Sequence, residues 1–157
     1  DYRKHHLRAL LYAKKREYDE AIRLYKECLN EAKQDARISI VRDLLEVYLE
    51  TGRNDLINEL IDSEDHFLPV DCHPHRIKNA AIYYQRKSMC QFSMGQIDEA
   101  NDSLLKSIEY YRQLGDSEKV IECFGLLVKH HRLSSRKLSN KHMEIIEKIC
   151  YINEIMA

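Results

Sequence analysis

Apolar residues recur every three to four positions along most of the chain, the spacing of helices that bury one face. The first such stretch runs from about Tyr2 to Lys15 and the second from about Asp19 to Ala32, joined at polar Arg16-Glu17. A third, from about Asp35 to Thr51, sets Ile38, Val41, Leu44, Leu45 and Tyr48 at helical spacing and stops at Gly52. Its partner, about Asp55 to Asp62, is short. Residues 63–74 hold both prolines and break the periodicity, which predicts an inserted loop and a flexible point. Beyond it, His75 to Met94 reads as a long helix ending at Gly95, and Ile97 to Gln113 as its partner ending at Leu114-Gly115. Asp116 or Ser117 is the expected N-cap of a helix through His131, and Ser139 or Asn140 that of a last helix to about Ile155.

The pattern repeats. Arg16-Glu17-Tyr18-Asp19-Glu20-Ala21 is echoed by Gly95-Gln96-Ile97-Asp98-Glu99-Ala100. Ala21, Tyr25, Cys28 and Leu29 then fall at the offsets of Ala100, Leu104, Ser107 and Ile108, so small and large residues match in register. The second helices start near Tyr18, Asn54 and Ile97, 36 and then 43 residues apart, close to a unit of roughly 34 residues with insertions. The expectation is an all-α solenoid of about four helix-turn-helix repeats in one domain, residues 1–157. Such pairs bury their apolar faces only by stacking, and the stack leaves an elongated surface suited to recognition.

Composition narrows the picture. Only 4 Gly and 2 Pro in 157 residues, with 44% hydrophobic content, favour helices over a many-turned β fold and exclude general disorder. Lys plus Arg (25) balances Asp plus Glu (26), so no overall field draws the chain to nucleic acid or anionic membrane. No apolar run nears the roughly 18 residues that span a bilayer, and Asp1-Tyr2-Arg3-Lys4-His5-His6 lacks a signal-peptide core. Five widely spaced cysteines, without a C-x-x-C pair, read as reduced thiols in the cytoplasm, most of them small core residues on helices. The missing initiator Met suggests a piece of a longer protein.

These residues resemble the tetratricopeptide repeat, whose first helix carries an aromatic, Leu-Gly and Tyr, and whose second carries Ala and an aromatic. Ala9, Tyr12, Tyr18, Ala21, Tyr25 and Leu29 fit the first copy, with His5 and Arg8 at apolar positions. Val41, Leu44, Tyr48 and Gly52 fit the second, where Leu45 and Ile57 exceed the usual small residues. Tyr84, Ser88, Gly95, Ile97, Ala100 and Leu104 fit the third, from which Lys87 and Gln91 depart. Ile121, Phe124, Gly125 and Val128 make a degenerate fourth. The resemblance implies protein or peptide binding. The Leu114-Gly115-Asp116 junction followed by Phe124-Gly125 further resembles the peptide-pheromone receptors of the Rap, PlcR and NprR families, implying the sensor domain of a peptide-responsive transcription regulator.

Candidate chemistry is sparse. Asp71-Cys72-His73-Pro74-His75 offers metal ligands but no evident fourth, so no metal or cofactor is expected. The pairs His5-His6 and His130-His131 point to different sides of a helix. No phosphate loop, nucleophile elbow or His-Glu zinc helix is present, which argues against an enzyme. Lys129 to Lys137 is basic but lacks interleaved aromatics, and reads as a solvated turn. Of 10 Tyr, those at 12, 25 and 48 sit at core positions.

The face of the first helices left over after packing collects Arg3, His6, Leu10, Ala13 and Lys14, then Ser39, Arg42, Glu46, Leu49 and Glu50, then Asn79, Ile82, Gln85, Arg86, Met89, Phe92 and Ser93, then Lys119, Glu122, Leu126, Lys129 and His130. In the third pair the packing positions hold polar Lys87 and Gln91 while this face holds apolar residues. We therefore expect Arg42, Asn79, Ile82, Gln85, Met89 and Phe92 to line a groove for a peptide, with Arg42, Asn79 and Gln85 bonding its backbone or carboxylate. The alternative is a scaffold whose same face serves homo-oligomerisation or assembly.

Overall fold

The computed structural model describes residues 1–69, 73–134 and 139–156. Among them the chain forms α1 (Tyr2–Lys14), α2 (Tyr18–Glu31), α3 (Gln34–Thr51), α4 (Asn54–Asp62), α5 (Pro74–Ser93), α6 (Ile97–Gln113), α7 (Ser117–Ser134) and α8 (Asn140–Met156), with no strand. It is an all-α helical-repeat solenoid.

Local chemistry sets the boundaries. Asp1 caps α1 by accepting from the Arg3 amide at 3.1 Å, and Ser139 caps α8 through the His142 amide at 3.2 Å. Pro74 opens α5, where its missing N–H costs nothing. Gly52, Gly95 and Gly115 end three helices with φ of 65°, 76° and 70°, a region in which a side chain would crowd its own carbonyl. Arg16 does the same work at the first turn with φ 61° and no such freedom.

Packing runs down the chain. α1 lies on α2, α3 on α2 and then on α5, α5 along α6, and α7 on α6. Two hydrophobic cores result: one joins α1 to α5 around Tyr25, Leu44, Leu45, Tyr48 and Tyr83, the other joins α5 to α8 around Leu104, Ile108, Tyr111 and Leu127. Ala21 and Ala100 are both 0% exposed, at the helix crossings their spacing implied. Ala100→Leu should therefore lower stability by roughly 1–3 kcal/mol, read as a lower melting temperature with helical circular dichroism unchanged in the cold.

Two expectations need correction, the loop after α4 and the turn at Lys129. The segment after α4 is not simply a loop: Glu64–His66 forms a 3-10 turn and Phe67 is buried against Tyr83. Residues 70–72, hence Asp71 and Cys72 of the ligand cluster, lie outside the described residues, and His73 serves as the N-cap of α5 by accepting from the His75 amide. The basic run from Lys129 is helical through Ser134, with its remaining residues 135–137 outside the described ones. α8 packs on α6, where His142 Nε2 bonds Asp102 at 2.7 Å and Ile149 enters the second core.

Cys28, Cys90 and Cys123 are buried free thiols, and Cys150 is an exposed one. Burial pushes Cys28 and Cys123 up to about 11 and Cys90 up to about 12, leaving little thiolate at neutral pH. In the native protein Cys150 should react quickly with a thiol reagent while these three react only as fast as the chain opens, a pattern that mass spectrometry of labelled peptides resolves.

Candidate functional site

The first helices of the repeats line one face, along which three clefts follow each other beside α5. The cleft at the start of α5, about 610 Å³, is bounded by His6 of α1, Ser39 and Arg42 of α3, and His73, His75, Arg76 and Asn79. The middle cleft, about 490 Å³, lies between Glu46, Leu49 and Glu50 on one side, Ile82, Gln85, Arg86 and Met89 on its floor, and Lys119 and Glu122 beyond. The last, about 420 Å³, is walled by Leu49, Met89, Phe92, Ile97, Leu126 and His130. Polar chemistry thus dominates one end and apolar chemistry the other.

Helical register explains this ordering. Asn79, Ile82, Gln85, Arg86, Met89 and Phe92 recur at three- and four-residue steps, which keeps them on one side of α5. Asn79 and Phe92 are 13 residues apart, so the face extends about 20 Å at 1.5 Å per residue, the reach of about six extended residues.

The polar end is a network. Asp43 accepts from His6 Nε2 at 2.8 Å and from Arg86 Nη1 at 2.7 Å, and Arg86 also reaches Glu46 at 3.2 Å. One carboxylate therefore ties α1, α3 and α5 together. Burial pushes the Asp43 carboxyl up, but the hydrogen bonds from His6 and Arg86 and the adjacent charges outweigh it, and the net direction is down. Arg42 donates from Nη1 to Asn79 Oδ1 at 3.0 Å, while its Nε is shielded from water without an acceptor. Burial lowers the Arg42 pKa.

The expected contact residues are thus not equally available. Asn79 and Gln85 are both 8% exposed, and their carbonyl oxygens already accept, from Arg42 and from Tyr111 OH at 3.0 Å. These oxygens fix the wall and are not offered to a visitor. Phe92, expected to face the groove, is 8% exposed, belongs to the second core and stacks on His130 with centroids 3.8 Å apart. Ile82 is half-buried, and Met89, at 36% exposed, is the apolar side chain that the floor presents.

Lys87 and Gln91 looked misplaced on the packing side, yet each has a partner. Lys87 Nζ reaches Glu64 Oε2 at 2.8 Å, the same oxygen that takes Tyr83 OH at 2.6 Å, and Gln91 Oε1 accepts from Ser103 Oγ at 2.6 Å. The polar substitutions are structural, so they give no support for a pocket. Tyr83, fully buried and central here, carried no mark in the sequence beyond helical spacing.

His130 covers the Phe92 ring, and burial, then the nearby Lys129 charge, holds its pKa below the usual histidine value of 6.5. A depressed folded-state pKa means that the neutral ring is favoured on folding. Stability should be full above pH 6.5 and decline as pH falls from there through the folded value, a slope that thermal melts of His130→Gln should lack.

Residues 5–35 and 81–113 match the family pattern of the tetratricopeptide repeat, covering the first and third hairpins. No curated protein and no solved structure gives a significant match. Tetratricopeptide repeats generally mediate protein–protein interactions, and the matched segments supply most of α1 and α5 and all of α2 and α6. The junction at Leu114-Gly115-Asp116 has the geometry of an ordinary helix stop and start: Gly115 is left-handed and Asp116 Oδ1 accepts from the Lys119 amide at 3.2 Å. It lends nothing to the narrower receptor resemblance.

Proposed function

We propose that the chain is a protein-interaction module whose first-helix face takes an extended segment of a partner protein, about six residues long. The observation that carries this reading is the sequence of clefts along α5, polar at Arg42 and apolar at Leu49, Met89 and Leu126. Met89 and Ile82 supply apolar contact in the middle, Phe92 walls the far end, and Arg42, positioned by Asn79, fixes the orientation of the segment. Gln85 holds the wall through Tyr111 and Glu122.

Titration of hexapeptides carrying an acidic residue at one end and a large apolar one at the other tests this reading by calorimetry. Saturable binding that falls about tenfold or more in Met89→Ala, with its melting temperature unchanged, is the expected result; no heat from any such peptide sinks the reading. A regulator's sensor domain would be a special case of it, tested by whether a bound peptide alters DNA binding by the full protein.

Assembly is the second reading, favoured by α7, where Ile121 is 71% and Val128 49% exposed on the face that holds Gly125. If that face joins copies, sedimentation should show a dimer that Ile121→Glu dissociates, with peptide binding unaffected.

A further inference from the structure

We infer that α7 pairs with the α7 of a second copy of this chain, antiparallel to it, about a two-fold axis that passes Gly125. This rests on the assembly reading and goes beyond it by fixing how the copies meet.

The seam lies in helical register. Glu118, Ile121, Gly125, Val128 and Arg132 follow each other at steps of three, four, three and four residues, the spacing that keeps one stripe turned toward a partner helix. All five are exposed, Ile121 at 71% and Val128 at 49%. Val120, Cys123 and Leu127 hold the other side of α7 in the second core, where the helix lies on α6. The two branched apolar side chains therefore stay in water unless something from outside covers them, and covering them is favourable.

Gly125 points to a helix as that cover. Glycine weakens a helix interior, and this fold does not ask for one here. Gly52, Gly95 and Gly115 stand at turns with positive φ, whereas Gly125 does not, and a Cβ added to it would meet nothing within 4 Å. What a missing side chain midway along an exposed apolar seam does allow is the close approach of a second backbone.

Charge then selects the partner and its direction. Glu118 and Arg132 stand seven residues before and seven after Gly125, about 10 Å either way. In an antiparallel pair centred on Gly125, Glu118 of each copy meets Arg132 of the other, and Ile121 of each lies beside Val128 of the other. In a parallel pair each charge would face its own kind. The seam is thus complementary to itself in one orientation, as a two-fold interface requires. Glu118 and Arg132 have no ion pair among the described residues, so the pairing breaks none there.

The seam spans 14 residues, about 21 Å. One helix pair of that length is a small interface, so the dimer should be reversible and of micromolar strength. Leu126 and His130 line the last cleft from a different side of α7, so pairing leaves the clefts open and the dimer carries them twice.

Sedimentation velocity from about 1 to 300 µM, a span suited to a small interface, tests this. Wild type should pass from monomer to dimer as concentration rises. Glu118→Arg and Arg132→Glu should each weaken the dimer about tenfold or more, because both facing pairs become repulsive. An equimolar mixture of the two variants should restore it, since every facing pair is again opposite in sign. Gly125→Leu should weaken the dimer too, while its monomer melts no lower than wild type, which separates the interface from the fold. A dimer that Ile121→Glu dissociates but either charge variant leaves intact overturns the antiparallel pairing and leaves α7 as the assembly face. A dimer that tolerates Gly125→Leu overturns the axis at Gly125. Wild type that stays monomeric throughout overturns this pairing and the assembly reading together.

Discussion

Phe92→Ala will lower the unfolding free energy by about 3–5 kcal/mol, because the ring fills the second core and supports His130. At 8% exposed, within the second core and stacked 3.8 Å from the imidazole, it leaves on truncation a cavity in a close-packed interior. For a domain of this size that is a fall of roughly 10 °C in melting temperature. Met89→Ala, at the exposed edge of the same cleft, should cost less than about 1 kcal/mol. Denaturant titrations of both variants give the comparison. If Phe92→Ala is neutral, the ring is free in the groove and the second core does not depend on it. The practical result is that binding must be probed at Met89, since loss of binding in a Phe92 variant would report loss of fold.

Asp43→Ala is the other large effect, at about 3 kcal/mol. The side chain is 10% exposed, and its removal leaves His6 and Arg86 facing each other across α1 and α5 without their common acceptor. A fully buried pair broken in this way costs 3–5 kcal/mol; Arg86, at 27% exposed and with Glu46 still at 3.2 Å, retains part of its compensation. The sign in pH follows from the depressed Asp43 pKa. Its contribution is present above the ordinary value of 3.8 and is lost as pH falls through the lower folded value. Wild type should therefore show a steeper acid limb than Asp43→Ala in melts taken below pH 5. Parallel acid limbs would mean that the carboxylate bonds little on folding.

Sequence and structure agree where one physical signal dominates. Ala21, Ala100, Tyr25 and Tyr48 were legible because helical spacing and side-chain size both pointed inward, and all four are buried. Glu46, Leu49, Gln85, Met89 and Glu122, set on one side by helical register, line one cleft. The availability of each member was not legible. Asn79, Gln85 and Phe92 each line a cleft, but their partners, Arg42, Tyr111 and His130, come from other helices, and no local pattern announces which neighbour will use a polar atom first. The Glu64 carboxylate was missed for the same reason, since two prolines and a broken periodicity resemble a loop whether or not a residue in it turns back to meet Tyr83 and Lys87.

The two-sided burial of α5 limits how freely this protein can be rebuilt. Repeat proteins are commonly lengthened, shortened or averaged because each unit meets its neighbours through interchangeable apolar faces. Here Ala80 and Tyr83 enter one core and Ala81 and Phe92 the other. Lys87, Gln91, Gln85 and Asn79 are each matched to a residue outside the helix, namely Glu64, Ser103, Tyr111 and Arg42. A consensus helix spliced into this position would bring the right apolar stripe and orphan those four partners, two of them charged. The third unit is thus a keyed part, interchangeable only together with the residues that answer it in α3, α6 and the turn after α4.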